Sequence, residues 1–324
     1  MAGVGARKGM ILAALAVAVV AVAAPASASA ITPGATGRAV VQSAASGAAG
    51  VRAYWTSARM RAAQPIGVAS QSTKAHAGTT PRRPAASRAR IATPLAHVKR
   101  RPYRTAGKVF FSAGLFDYEC SGTAVRAPSQ SLVMTAGHCG YFLAPSIRNW
   151  AFVPAYRNGK APFGKWPATN LAAPSGWVNA SPPPTALGGD PTGGDSRYDV
   201  SAATVAKLHG RTLQSAVGAR RIAFDERRDQ RYLAIGYPAE SPFNGLSEYD
   251  CSSGYRGSDR SLGDPAPISM RCDMTGGSSG GGWLDAQGRL VSVTSYGYSD
   301  QPDILYGPYF GDAIAQFYRS VRTG

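Results

Sequence analysis

Acidic side chains are missing from the first third of this 324-residue chain, whose first carboxylate is Asp117. Residues 1–104 hold 15 Lys and Arg and no Asp or Glu, so they carry most of the formal net charge of +17. Residues 105–324 are close to neutral, with 20 basic and 18 acidic side chains. A basic balance is typical of nucleic-acid binders. Here it is confined to one end of the chain and does not require specific nucleic-acid binding by the rest.

Long apolar runs are also nearly absent. Residues 10–24 form one, but at about 1.5 Å per residue they cannot cross a hydrocarbon core roughly 30 Å thick. The run follows Arg7 and Lys8 and leads to the small residues Ala28-Ser29-Ala30. This order predicts a secretory signal peptide over residues 1–30, cleaved at its end, and hence a secreted, extracellular protein.

Residues 31–104 have few large apolar side chains and no sustained helical or strand period. Such a composition buries too little surface to offset the entropy cost of ordering, so we predict a propeptide or a disordered linker. Basic residues cluster near Arg101 and Arg104, which makes cleavage there one hypothesis. The charge also predicts weak, non-specific binding to anionic surfaces, without the interleaved aromatic residues of a specific site.

Residues 105–324 have a different sequence pattern, in which short apolar runs alternate with Gly, Pro, Ser and Asn. This pattern is typical of strands joined by turns. Residues 313–321 instead repeat apolar side chains at helical spacing. The predicted fold is therefore all-β and antiparallel with a C-terminal helix. The predicted strands cover residues 108–112, 132–135, 150–155, 200–205, 232–235, 268–271 and 290–296.

Two short stretches carry the elements of a chemical mechanism. In Thr135-Ala136-Gly137-His138-Cys139 a histidine directly follows an apolar strand, and in Gly276-Gly277-Ser278-Ser279-Gly280-Gly281-Gly282 two serines lie among five glycines. Each stretch alone is ordinary, as a structural histidine or a flexible loop. Together with Asp199, at a strand start between them, they supply a base, a nucleophile and a carboxylate to orient the base.

Chain order separates the classes of serine hydrolase. The serine stretch also matches G-x-S-x-G, but in that class the histidine follows the serine, whereas all four histidines here precede Ser278. A subtilisin-like order needs the acid before the histidine. The candidates Asp117 and Glu119 do not begin an apolar strand. The remaining order is His, Asp, Ser.

With that order the sequence resembles the trypsin-like serine peptidases, specifically their secreted bacterial V8-like branch. The resemblance spans roughly residues 107–322. It implies that residues 105–324 form two six-stranded antiparallel β-barrels with a C-terminal helix. The stretches that carry it are Glu119-Cys120-Ser121-Gly122-Thr123-Ala124-Val125, the His138 motif, Tyr198-Asp199-Val200, Ile235-Gly236-Tyr237-Pro238 and Gly277-Ser278-Ser279-Gly280-Gly281.

The resemblance also implies roles for single residues. Ser279 is the nucleophile in preference to Ser278, because only Ser279 is followed by the Gly-Gly pair in the family's register. His138 is the general base and later the general acid. The backbone N–H groups of Gly277 and Ser279 form the oxyanion hole.

Three aspartates compete for the role of orienting acid. Asp199 begins an apolar stretch and can be buried beside the histidine, whereas Asp190 and Asp195 lie among glycines. Asp199 is therefore the preferred member of the triad.

The four cysteines allow three pairings, and export permits disulfides. The separations of 19 and 21 residues favour Cys120 with Cys139 and Cys251 with Cys272. No C-x-x-C spacing occurs, which argues against a zinc site. No motif calls for a metal or an organic cofactor.

Specificity is less determined by the sequence. Asp273 lies six residues before Ser279, where trypsin-like members place the acid that selects Arg or Lys. Cys272-Asp273 also resembles a Cys-Asp pair of V8-like members, in which the acid does not by itself confer this preference. Ser295, Tyr296 and Gly297 resemble the strand that pairs with the substrate backbone. Glutamate-specific relatives carry a histidine where this chain has Thr294, so basic, small and apolar side chains remain open.

The predicted activity is that of a monomeric, secreted serine endopeptidase, made as a zymogen, that cleaves proteins or peptides through an acyl-enzyme. The alternative from another class is a catalytically silent protein that binds anionic polymer through residues 31–104. A full His138, Asp199 and Ser279 set favours the enzyme.

Overall fold

Short strands separated by turns make up most of the folded chain. The computed structural model describes residues 1–3, 36–44, 46–66, 69–71, 91–100, 103–144, 146–187 and 190–324. Residues 4–30 of the signal peptide predicted over residues 1–30, and the basic residue Arg101, lie outside this part.

The strands are β1 Ala39–Ser43, β2 Gln64–Pro65, β3 Ala69–Gln71, β4 Thr93–Pro94, β5 Ala106–Ala113, β6 Phe116–Val125, β7 Leu132–Thr135, β8 Ile147–Pro154, β9 Trp166–Pro174, β10 Thr185–Leu187, β11 Asp190–Thr192, β12 Ser201–Val205, β13 Arg231–Gly236, β14 Tyr249–Ser258, β15 Ile268–Arg271, β16 Gly282–Leu284, β17 Leu290–Val293, β18 Tyr296–Tyr298 and β19 Ile304–Gly307. The α-helices are α1 Ala48–Tyr54, α2 Ser57–Ala62, α3 Ser175–Val178, α4 Leu213–Val217 and α5 Asp312–Val321.

The first barrel is a closed antiparallel sheet of six strands. They follow the order β9-β12-β7-β6-β5-β8, and β8 pairs back with β9. Large side chains such as Phe111, Tyr118, Trp150 and Phe152 fill its interior and are at most 2% exposed. Burial of each such side chain contributes roughly 1.5–3 kcal/mol, which makes this barrel a rigid support for the loops it carries.

The second barrel is a curled half-barrel with the strand order β17-β16-β13-β14-β15-β19-β18. Its core holds Ile268, Met270, Trp283 and Leu305. β17 pairs with β16, and β18, on the same stretch of chain, pairs with β19. The prediction of two antiparallel barrels is therefore confirmed, although the strand expected over residues 290–296 is split in two.

The C-terminal helix is confirmed as α5. Its buried residues Ile314, Phe317 and Val321 join a core cluster that includes residues of both barrels, which explains the helical spacing of apolar residues in the sequence. Among the described residues, none of the helices combines the length and apolar character needed to span a membrane.

Both predicted disulfides are present. Cys120–Cys139 joins β6 to the turn that follows β7, and Cys251–Cys272 joins β14 to the residue after β15. Each bridge therefore closes a loop within one barrel.

Disorder between residues 31 and 104 is a wrong prediction for the parts that the structure describes. β1 pairs with β9 along five residues, and Trp55 is fully buried against Phe110, with ring centroids 5.2 Å apart. The indole Nε1 of Trp55 also donates to Asn149 O at 2.6 Å. The described parts of this segment have no separate core, so their sequence shows no period. They are ordered because they add strands and the buried Trp55 to an existing barrel.

Candidate active site

The turn after β7 holds His138 at the edge of the first barrel. Gly137 opens this turn, and a Cβ there would lie only 2.8 Å from Asp199 Oδ1, so a side chain would push the carboxylate away. Ser201 Oγ donates to Ala136 O at 2.6 Å. The strand end, the glycine and this hydrogen bond fix the histidine ring in place.

Asp199 lies two residues before β12 and is 2% exposed. Its Oδ2 accepts from His138 Nδ1 at 2.8 Å and from Ser295 Oγ at 2.5 Å, and its Oδ1 accepts from the backbone N–H of His138 at 2.9 Å. With Nδ1 as the donor, Nε2 of the neutral ring is left as the acceptor.

The charge state of Asp199 follows from this environment. Burial alone would raise the pKa of Asp199, but attraction to His138 and the hydrogen bonds from His138 and Ser295 outweigh burial and hold the pKa below its usual range. Asp199 is therefore an ionised, oriented acceptor at neutral pH.

The loop between β15 and β16 carries Ser279 and lies against the histidine turn. Gly280 has φ +78°, and a Cβ there would lie 2.0 Å from Thr135 Oγ1. Ser279 O accepts from the backbone N–H of Ser121 at 2.7 Å. Positive φ and close approach together require glycine directly after Ser279.

Two buried polar atoms at this junction lack a hydrogen-bond partner among the described residues. They are His138 Nε2 and Ser279 Oγ, on residues that are 1% and 0% exposed. Ser278 differs, because its hydroxyl donates to Thr275 O at 2.6 Å. A free acceptor and a free hydroxyl are the groups that proton transfer to an imidazole base requires, and this contrast favours Ser279 over Ser278.

Of the other aspartates considered from the sequence, Asp195 and Asp273 bond groups other than His138. Asp195 forms a bidentate pair with Arg197 at 2.6–3.1 Å, and Asp190 lies in β11. Asp273 accepts the backbone N–H groups of Ile91 and Ala92.

The predicted oxyanion donor Gly277 has its N–H bonded to a neighbouring segment. This N–H donates to Ile66 O at 3.1 Å. Ser121 Oγ donates to Gly277 O at 2.8 Å and accepts from Tyr237 N at 2.9 Å. Ser121 was not singled out from the sequence, because only the fold brings β6 beside the nucleophile loop.

The predicted substrate strand is β18 with the preceding Ser295. Tyr296 is fully buried, donates its hydroxyl to Asp259 Oδ2 at 2.6 Å and stacks on Tyr306 with centroids 4.9 Å apart. Thr294 is buried too, and its Oγ1 accepts from Trp283 Nε1 at 3.0 Å. The side chain of Ser295 donates to Asp199. A hydroxyl shortly after a buried strand could have suggested this contact from the sequence.

One cluster of metal-ligand residue types occurs in the described part of the chain. It combines His138 with Cys120 and Cys139. Both sulfurs are in a disulfide, so the cluster has no thiolate to offer a metal ion.

The sequence was compared with protein-family models and with curated proteins. The profile of the family described as trypsin-like peptidase domain matches residues 120–293. No curated protein matches.

Several solved structures are similar. Protease Anisep from Arthrobacter nicotinovorans is 37% identical, with 68% of this chain and 96% of that chain covered and a TM-score of 0.61. The thermostable serine protease AL20 from an extremophilic microorganism is 36% identical, with 68% and 97% covered and a TM-score of 0.60. A Glu endopeptidase in complex with MPD is 21% identical, with 73% and 98% covered and a TM-score of 0.58, and shows the fold alone.

Proposed function

Because this chain belongs to the trypsin-like peptidases, we propose that it is a secreted serine endopeptidase that works through an acyl-enzyme. The observation that carries the proposal is the buried His138–Asp199 pair beside a second buried group, the unpartnered hydroxyl of Ser279. The relative AL20, described as a serine protease, supports the choice of a serine nucleophile.

The proposed mechanism uses these groups in turn. Ser279 Oγ attacks the scissile carbonyl carbon while His138 Nε2 takes the hydroxyl proton, and Asp199 stabilises the resulting imidazolium. The N–H groups of Gly277 and Ser279 donate to the oxyanion. Collapse of the intermediate breaks the C–N bond, and His138 returns the proton to the leaving amine. Water then attacks the ester by the same route and frees Ser279.

A fluorophosphonate probe tests the nucleophile in the secreted, processed protein. Labelling is expected in the wild type and in Ser278→Ala. The substitution removes the hydrogen bond from Ser278 to Thr275 O and leaves the hydroxyl of Ser279 in place. Labelling is expected to disappear in Ser279→Ala. A labelled Ser279→Ala protein, or an unlabelled wild type of confirmed fold, would refute the assignment.

Secretion and processing are inferred from the segments predicted at the N-terminal end of the sequence. We infer that residues 1–30 direct secretion, that the following segment belongs to a zymogen, and that the protein is a monomer which binds anionic surfaces weakly through residues 31–104. N-terminal sequencing and the mass of the protein in the culture medium test the first two inferences. Nothing in the fold or the comparisons favours the alternative of a silent, polymer-binding protein.

A further inference from the structure

Both carboxylate oxygens of Asp273 are engaged by one neighbouring stretch of backbone. Oδ1 accepts from Ala92 N at 2.7 Å, and Oδ2 accepts from Ile91 N at 3.1 Å. Charge-assisted hydrogen bonds from two successive amides hold a carboxylate in a fixed orientation. A fork-shaped pair with an arginine side chain would need these same two oxygens.

The stretch that holds Asp273 is part of the second barrel. β4 pairs with β14 through Pro94 opposite Tyr249 and Thr93 opposite Asp250. Thr93 Oγ1 donates to Asp250 Oδ1 at 2.7 Å. Removing residues 91–95 would therefore break sheet hydrogen bonds.

Burial and a further backbone bond strengthen this attachment. Ala92 is 2% exposed in the core of the second barrel. Leu95 N donates to Glu248 O at 2.8 Å. The disulfide Cys251–Cys272 joins β14 to the residue next to Asp273, so the anchor and the sheet move together.

From this geometry we propose, on the basis of the proposed peptidase function, that Asp273 anchors residues 91–95 and does not receive a basic substrate side chain. The enzyme consequently does not select Arg or Lys, contrary to what the position of Asp273 in the sequence suggests. Cleavage near Arg101 or Arg104 would remove the anchored residues, so the active form is expected to begin no later than Ile91.

Asp273→Asn tests the anchor. The asparagine amide would face a backbone N–H with its own donor, so one hydrogen bond is lost and Tm should fall by roughly 3–8 °C. Tm is measured in the full chain on a Ser279→Ala background, which prevents self-cleavage. Thr93→Val, which loosens the same segment, should lower Tm in the same direction, and the exposed Asp229→Asn should leave it unchanged.

The catalytic arm compares kcat/KM for peptides with Arg, Leu or Ala before the cleaved bond. Asp273→Asn should change the Arg-to-Leu ratio by less than about threefold. Three results would overturn the proposal. They are a fall of about 100-fold in the Arg-to-Leu ratio of kcat/KM in Asp273→Asn, an unchanged Tm in that variant, or an active enzyme that begins after Ala92. The measurement of Tm does not require an active enzyme. It therefore shows whether the Asp273 anchor is wrong independently of whether the protein is a peptidase.

A separate observation concerns the oxyanion donor. The N–H of Gly277 points to Ile66 O at 3.1 Å, where the oxygen of a reacting carbonyl would be received. Ile66 is fully buried, and its own N–H donates to Glu119 O at 3.3 Å. β2, which directly precedes Ile66, runs parallel to β6.

The same stretch of chain also reaches the predicted substrate strand. The backbone of β3 pairs in parallel with β18, with Ala69 opposite Tyr296 and Gln71 opposite Tyr298. Residues on both sides of the nucleophile are thus in contact with one internal segment. Substrate backbone cannot pair with β18 while β3 occupies it.

A helical anchor holds this segment in place. α1 and α2 precede it, and Trp55, Met60 and Ile66 are at most 2% exposed against the first barrel. We propose that residues 46–66 and 69–71 act as an internal inhibitor of the proposed peptidase, with Ile66 O bound to the oxyanion donor. Activation then requires a break in the chain after Gln71 and no later than Ile91, so that both inhibitory contacts are removed.

The test uses full-length protein with its mass verified. Ile66→Asp places a charge in the apolar site and should release the segment, raising the rate of fluorophosphonate labelling by about tenfold or more. Ile66→Ala should give a smaller rise in the same direction. Gln64→Ala, at an exposed residue of the preceding strand β2, should label at the wild-type rate.

Hydrogen exchange gives a readout that does not depend on activity. On a Ser279→Ala background the Gly277 amide should exchange at least about tenfold faster in Ile66→Asp than in the parent. Equal exchange rates, or labelling that is equally fast in all full-length variants, would overturn the inhibitor. Absence of labelling even after processing would instead contradict the peptidase function on which it rests.

Discussion

One hydroxyl on β6 joins the two barrels at the nucleophile loop. Ser121 Oγ donates to Gly277 O and accepts from Tyr237 N, while the backbone of Ser121 donates to Ser279 O and accepts from Thr135 Oγ1. Ser121 is fully inside the protein at 1% exposure. We therefore expect Ser121 to position the loop that carries the proposed nucleophile Ser279 without touching substrate.

Ser121→Ala should lower kcat about tenfold or more and leave KM within about threefold, because a small displacement of the attacking group costs rate more than binding. Steady-state kinetics on the processed enzyme measures this. Ser112→Ala is the matched control, since its hydroxyl bonds Asp117 at the far end of β5 and β6. Equal kinetics in the two variants would remove Ser121 from the positioning role.

At the residue scale, the sequence predicted candidate groups that have distinctive neighbours, but not the residues that hold these groups in place. His138 and Ser279 were recognisable because glycine and alanine surround them, and Asp199 because it begins an apolar strand. Ser121 was not, because a serine in a strand has no local signature and its partners are far away in the chain. The contact of Ser295 with Asp199 was not predicted either, although a hydroxyl shortly after a buried strand could have suggested it.

Among the secondary-structure elements, the connection between β13 and β14 contains a buried acid outside the catalytic groups. Glu248 is fully buried and accepts from Tyr237 OH at 2.8 Å. Burial, with a smaller contribution from Asp250, raises the pKa of Glu248 to about 8 in spite of the hydrogen bond from Tyr237. The folded protein thus holds a proton that the unfolded chain releases above about pH 4.5.

Glu248→Gln should therefore flatten the dependence of stability on pH. Between about pH 4.5 and 8 the folded state binds more protons than the unfolded state, so wild-type stability should fall as pH rises through this window. The glutamine carries no such proton and should match the wild type near pH 5 and exceed its Tm by several degrees at pH 9. Thermal unfolding at pH 5, 7 and 9 on a Ser279→Ala background measures this.

The exposed Asp229→Asn is the control and should leave the slope unchanged. A parallel shift of the Glu248→Gln curve at every pH would mean that packing, not ionisation, distinguishes the two side chains.

Strands were predictable from sequence where apolar runs are bounded by turn residues. β7 and β15 were predicted with their observed ends. β9, rich in alanine, and β14, with few buried residues, were missed because neither contains a continuous run of large apolar side chains. Their hydrogen-bond partners come from other parts of the chain, which local pattern cannot show.

For the whole molecule, the uneven charge predicted a boundary near residue 104, and described residues on both sides of that boundary belong to the same compact unit. Thr32–Gly324 form one compact unit, so the basic region is not merely appended to the barrels. β1 extends the first barrel and β4 the second. Composition marks where charge changes, whereas sheet pairing decides which residues fold together.

The proposed catalytic groups are divided between the barrels, with His138 and Asp199 from the first and Ser279 from the second. The buried acid is completed only by the hydroxyl of Ser295. During synthesis the ribosome therefore completes His138 and Asp199 before it adds Ser279 and Ser295. Any early folding of the first barrel produces no protease, and the nascent chain and its neighbours are protected by the order of synthesis itself.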